Sequence, residues 1–320
     1  MQTIAKKILR FIGKTILGLF IAIAVILLLM TVYNGIKCSQ EKELLAKPMG
    51  QFVEVDGHNM NIFVKGDGDH TIVMMSGWGT ESPVYDFKPL YTKLEGDFKC
   101  VVIEKFGYGF SDEIEGERDF DTILRQDREA LSKAGIKPPY VLCAHSLSGL
   151  EATLWAQKYP DEVEAIVGLD MSLGNYPGFA DKQESNSSKA ISNLNKAVRF
   201  VGLNRFLMSI SDYEDMSDAE IKQYIALVCK NQGNDTVMRE NDGIRKACEE
   251  ISGESLPAVP SLLYLDTSSN EDETYISSAQ KIIDASDDGK MIHLDCGHYV
   301  HHFESERIAA EMKEMIENLE

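Results

Sequence analysis

The chain has 320 residues, of which 44% are apolar and 26% charged, with a formal net charge of −19. Residues 38–320 carry 27 cations against 51 acids, a balance of −24, so nucleic acid and anionic membrane faces are argued against as partners of this part because phosphates would be repelled. Small neutral substrates are not excluded.

Residues 1–37 contain Lys6, Lys7, Arg10, Lys14 and Lys37 and no acid. Within them Thr15–Tyr33 is an uncharged, mostly apolar run of nineteen residues. As a helix it reaches about 28 Å, enough for a bilayer core. A cleaved signal peptide would carry a shorter apolar region and a small-x-small site. Neither fits here, where Asn34-Gly35-Ile36-Lys37-Cys38 follows the run. The sequence thus predicts a basic N-terminus (1–14), an uncleaved transmembrane anchor (15–33) and a polar tether (34–50). The cation excess before the run predicts a cytoplasmic N-terminus and an extracytoplasmic domain in the cell membrane, with the bilayer as partner of this single-pass helix.

The remaining residues suit one α/β domain with an insertion. Alternating patterns at Gln51–Val55 and Asn59–Val64, joined by Asp56-Gly57-His58, predict a hairpin. Apolar strand runs follow at Thr71–Met75, Cys100–Glu104, Tyr140–Ala144, Val163–Leu169, Ser261–Asp266 and Met291–Leu294. Helical stretches near 84–95, 119–134, 147–158, 273–286 and 303–318 alternate with them, which implies a parallel sheet covered on both faces. The alternation breaks over 172–256, a polar stretch with helical segments near 184–200, 203–209, 217–231 and 236–251. An insertion of this size between two strands predicts a lid over the strand ends, leaving 51–171 and 257–320 as the core. Among six cysteines there is no Cys-x-x-Cys pair. Cys100 and Cys143 fall in strand patterns and read as core, whereas Cys229 and Cys248 lie on neighbouring helical segments and could pair in an oxidising compartment.

The chemistry centres on Cys143-Ala144-His145-Ser146-Leu147-Ser148-Gly149, where a strand pattern gives way to a helical one. Small residues around Ser146 suit a strained strand-to-helix turn that exposes a nucleophilic hydroxyl at a helix N-terminus. Ala144 and Ser148 stand where glycine is usual. A serine hydroxyl needs a base. Of seven histidines, His298 lies between the last strand and the last helix, where a loop can return over the sheet end. His145 adjoins the serine but should point away. Cys296, His298, His301 and His302 crowd into seven residues with no carboxylate at a matching spacing, so a zinc site is not expected. Leu147 and Trp78, the latter in Ser76-Gly77-Trp78-Gly79-Thr80, are the expected backbone donors of an oxyanion hole. The orienting acid is open between Asp170, Asp266 and Asp272.

These motifs, with Gly107-Tyr108-Gly109-Phe110-Ser111-Asp112 and Gly297-His298, resemble the α/β-hydrolase fold, of the bacterial membrane-anchored serine hydrolase kind. The resemblance covers roughly residues 50–318. It implies an eight-stranded, mostly parallel sheet, a helical cap after the sixth strand, and a Ser-acid-His triad in chain order. Ser76 stands where histidine often precedes the oxyanion glycine, and Glu104-Lys105-Phe106 where an Asp-x-Arg run is frequent. The loop after Asp266 has Ser268 and Ser269 where the acid is usual, which turns the choice towards Asp170. The expectation is a membrane-tethered hydrolase of a small-molecule ester or related acyl substrate, needing no metal or organic cofactor. A peptidase or thioesterase, or an inactive binding module, are the alternatives. The oligomeric state is open.

Overall fold

The structure is a computed structural model describing residues 2–186, 189–207 and 216–319. Eight strands form one sheet: β1 (Gln51–Val55), β2 (His58–Lys65), β3 (Thr71–Met75), β4 (Lys99–Glu104), β5 (Tyr140–His145), β6 (Val163–Leu169), β7 (Ser261–Leu265) and β8 (Gly289–His293). Their spatial order is β1-β2-β4-β3-β5-β6-β7-β8. The β1–β2 and β2–β4 pairs are antiparallel, and every later pair is parallel. This is the expected mostly parallel sheet, with β5 near its middle.

Both faces are covered, and strand alternation shows it. In β3 and β4, Val73, Met75, Val101 and Ile103 join one core, whereas Ile72, Met74, Cys100 and Val102 join the other. A strand buried on both faces has no polar side, which is why β3 and β5 read as unbroken apolar runs. Cys100 and Cys143 lie in the second core.

The helices are α1 (Gln2–Leu45), α2 (Pro83–Asp86), α3 (Lys88–Leu94), α4 (Phe120–Lys133), α5 (Ser148–Lys158), α6 (Phe179–Asn186), α7 (Lys189–Val201), α8 (Asn204–Leu207), α9 (Asp218–Asn231), α10 (Asp235–Met238), α11 (Ile244–Gly253), α12 (Thr267–Asn270), α13 (Glu273–Ala285), α14 (Val300–Phe303) and α15 (Ser305–Ile316). Helices α6–α11 occupy the insertion between β6 and β7. Of the segments expected there, 184–200 and 203–209 include positions 187–188 and 208–209, which lie outside the described residues. A reciprocal capping box between Ser217 and Glu220 starts α9.

Two features bear on readings the sequence left coarse or open. Within 34–50, the expected polar tether, α1 continues to Leu45. It does so because it has something to pack on. Leu45 and Met49 lie against Tyr85, Phe110 and Leu227, and Arg205 of the insertion forms an ion pair with Glu41 at 2.7 Å. Cys229 and Cys248 are both free thiols, the first buried and the second half-buried.

Candidate active site

Ser146 follows the last residue of β5 and precedes α5, with φ +52°. That left-handed conformation is unfavourable for a side-chain-bearing residue. Three backbone bonds hold it: the Ser146 amide donates to Leu169 O (3.3 Å), and its carbonyl accepts from the amides of Ser172 (2.7 Å) and Gly149 (3.0 Å). The turn is crowded one position later than the motif suggests. A Cβ at Gly149 would sit 2.4 Å from Ser172 O, and one at Gly77 would sit 2.7 Å from Ser146 Cβ. Ser148 is tolerated because its hydroxyl lies inward, 2.6 Å from Met75 O and 2.8 Å from His145 O.

Asp170, directly after β6, also has positive φ (+44°). Its Oδ2 accepts a 2.6 Å hydrogen bond from His298 Nδ1, and among the described residues Nε2 makes no hydrogen bond to protein. Its Oδ1 accepts from the Asp266 amide at 3.1 Å. The hydrogen bond to Asp170, outweighing burial, raises the His298 pKa above its ordinary value. Asp266 caps α12, accepting from the Ser269 amide (2.6 Å) and the Ser268 hydroxyl (3.0 Å). Asp272 caps α13 and accepts from Tyr176 Oη (2.7 Å). Of the three candidate acids, Asp170 is the one hydrogen-bonded to His298.

Ser146 and His298 share the walls of two cavities of about 460 and 240 Å³. Asp170, Tyr176, Phe179 and Tyr275 line the larger; Trp78, Leu147 and Tyr299 line the smaller. Gln183, from α6, reaches both. Among the described residues the Ser146 hydroxyl makes no hydrogen bond to protein, and neither the Trp78 nor the Leu147 amide has a protein acceptor. The Trp78 indole instead donates to Val237 O of α10 at 2.9 Å, tying the loop after β3 to the insertion.

Sequence reasoning passed over the layer behind His298. His145 is buried, with its ring 4.8 Å from that of His298 and its Nε2 3.2 Å from His298 O. Burial lowers the His145 pKa, so the ring stays neutral and can donate there. Beyond it His301 and His302 both meet Asp86, at 3.1 and 3.0 Å. Burial opposes ionisation of Asp86, but the two histidines outweigh it and hold the carboxyl well below the usual range. The consecutive histidines were the visible signal; their acid lies more than two hundred residues away and was not.

Glu104 also acquires a role. Its buried carboxylate accepts from the amides of Phe110 (2.7 Å) and Val84 (3.4 Å) and from Asn61 Nδ2 (3.0 Å). It fills the space a Cβ at Gly109 would need. The turn at 107–111 thus folds around the Glu104 carboxylate.

Glu81 follows the Trp78 loop, and burial pushes its carboxyl up to about 7. The folded state therefore binds a proton that the unfolded chain releases near pH 4.5. Stability from this group is present at low pH and lost as pH rises from about 4.5 to about 7. Glu81→Gln removes that loss. The melting temperature of the variant relative to the native chain should climb across this interval, as calorimetry at a series of pH values will read; a constant difference would contradict the assignment.

Residues 70–231 match the alpha/beta hydrolase fold family. The chain belongs to the α/β hydrolase fold family. A relative in Bacillus subtilis (strain 168), the uncharacterized protein YbdG, is 42% identical over 169 residues, 52% of each chain. The pimeloyl-[acyl-carrier protein] methyl ester esterase of Aliivibrio salmonicida is 31% identical over 116 residues, 36% of this chain and 40% of that one. The chain thus matches about half or less of the length of these curated relatives. Among solved α/β hydrolase structures, a thermophilic esterase from Thermogutta terrifontis superposes with a TM-score of 0.63 at 17% identity, covering 84% of this chain and 99% of that one. An epoxide hydrolase from Bacillus megaterium gives 0.65 at 13%, covering 84% and 100%. At such identities the two structures speak for the fold alone.

Proposed function

We propose that this α/β hydrolase is a serine esterase, tethered to the cell membrane, that cleaves a carboxylic ester through an acyl-enzyme. The observation that carries the reading is the Ser146 turn opening onto the same cavities as the Asp170-paired His298. Ser146 Oγ attacks the carbonyl carbon while His298 Nε2 takes its proton. The Trp78 and Leu147 amides donate to the oxyanion that forms. His298 then protonates the leaving alkoxide, and a water deprotonated by the same ring releases the acid and restores Ser146. Asp170 keeps the Nδ1–H tautomer and stabilises the imidazolium. The esterase named among the relatives supports an ester over other acyl bonds.

The tether rests on α1, whose apolar window has mean hydropathy 2.9 and no buried residue, long and apolar enough to cross a bilayer by length and composition. The cation distribution supports an extracytoplasmic catalytic domain.

A fluorophosphonate probe tests the reading directly. It should label the native chain at Ser146 and leave Ser146→Ala unlabelled, and turnover of p-nitrophenyl esters should fall by about 10⁴-fold or more in that variant. Equal turnover by Ser146→Ala would end the proposal.

A further inference from the structure

Helix α1 does not leave the apolar run as a free stalk; its next turns are built into the insertion. Asn34, the first residue after the run, is buried, and its Nδ2 donates to the carbonyls of Arg199 (3.1 Å) and Phe200 (3.2 Å) at the end of α7. Its Oδ1 accepts from Arg205 Nε at 2.8 Å. Gly202, with φ +74°, makes the approach possible, because a Cβ there would sit 2.5 Å from Asn34 Cγ. Arg205 then grips Glu41 with both terminal nitrogens at 2.7 Å. One asparagine therefore fixes the height of α7 and α8 on α1.

That height is the end of the apolar run. The Tyr33 ring lies 5.9 Å from the Phe206 ring, and Lys37 Nζ lies 5.8 Å from the Tyr33 ring centre. Around this junction Phe200 is 69% exposed, Phe206 57% and Ile36 53%. Three large apolar side chains open to water beside an aromatic-lysine pair make a costly surface for a domain standing in solvent. They make an ordinary one at the boundary between acyl chains and headgroups, where aromatic rings and lysine stems gather.

Building on the membrane-tethered reading, we infer that Phe200 and Phe206 sit in the bilayer interface beside Tyr33, so that the insertion is seated on the membrane through a second, monotopic contact. The occupant of this patch is lipid: it is continuous with the span itself, and the bonds through Asn34 hold it at the depth of the last apolar turn. The attraction is apolar, since the acidic domain repels anionic lipid. Helix α6, which contributes Gln183 to both cavities, belongs to the same insertion as α7.

The test uses the full chain reconstituted in phosphatidylcholine vesicles, with Phe200→Trp and Phe206→Trp as separate reporters read against the native protein. Lipids brominated near the headgroup end of the acyl chains should lower the added emission about twofold, as for a ring some 5–10 Å inside the interface, while aqueous acrylamide should lower it little. Quenching by acrylamide and not by bromine would overturn the inference. So would resistance to both accompanied by a dimer mass in detergent, which would hand the patch to a second copy. Alkaline carbonate extraction is run alongside. A chain that washes off has lost the tethered reading itself, whereas one that stays while its reporters remain in water has lost only the seating.

Discussion

Asp170→Asn should lower kcat/KM for a soluble ester by about 10³–10⁴-fold, whereas Asp266→Asn should cost roughly tenfold or less. The two carboxylates are neighbours, with their oxygens and a His298 ring nitrogen all within 4.8 Å of one another. Their hydrogen bonds divide the work. Asp170 Oδ2 receives the His298 Nδ1–H. Asparagine at 170 can present its amide to that nitrogen instead, which selects the wrong tautomer and leaves no lone pair on Nε2 for the Ser146 proton. Asp266 is engaged with Ser268 and Ser269, so its loss weakens a helix cap by about 1 kcal/mol and shifts Asp170 only through the backbone bond it donates.

The pH profile separates a positioning loss from a folding loss. His298 is raised by Asp170, and as the proposed base it works only when neutral. Activity of the native enzyme should therefore switch on as pH rises through a value above the ordinary histidine range near 6.5. In Asp170→Asn the residual activity should switch on at lower pH, while Asp266→Asn should keep nearly the native limb. If Asp266→Asn proved the more damaging of the two at an unchanged melting temperature, the acid would be misassigned.

How much of this was legible in the chain depends on where each signal resides. Strands β3, β5 and β6 were readable to within a residue because burial on both faces leaves an unbroken apolar run. The start of β8 was not: Gly289 and Lys290 pair with Ser261 and Leu262 through the backbone, but Gly289 has no side chain to bury and Lys290 is exposed, and hydropathy records only the side chains. The turn at Ser146 and the loop carrying His298 were readable because each sits at a change of pattern. The acid was not, because Asp170, Asp266 and Asp272 all follow strand ends, and only the packing decides which carboxylate faces the ring. The end of α1 was hidden for the same reason. Polar residues after Tyr33 read as a linker until Arg205, some 160 residues later, supplies the partner that keeps them helical.

That partner gives the second large effect, Glu41→Ala. The Arg205 side chain is 6% exposed and that of Glu41 16%, so the pair is nearly dry, and the carboxylate raises the Arg205 pKa against the opposing effect of burial. Deleting Glu41 strands a guanidinium whose remaining hydrogen bonds among the described residues go to Asn34 Oδ1 and the Cys38 sulfur. An uncompensated buried charge of this kind costs about 3–5 kcal/mol. The loss should fall on the junction of α1 with α8 and α9 rather than on the sheet. Protease should cut near residues 46–50 much faster in the variant, with ester turnover in detergent reduced far less than cleavage resistance. Adding Arg205→Met should restore most of the resistance, because an apolar side chain leaves no charge to strand. If Arg205→Met and Glu41→Ala instead added independently, the ion pair would not be what holds the helix to the insertion, and the Asn34 hydrogen bonds to α7 together with the apolar contacts of Leu45 with Tyr85, Phe110 and Leu227 would have to do so.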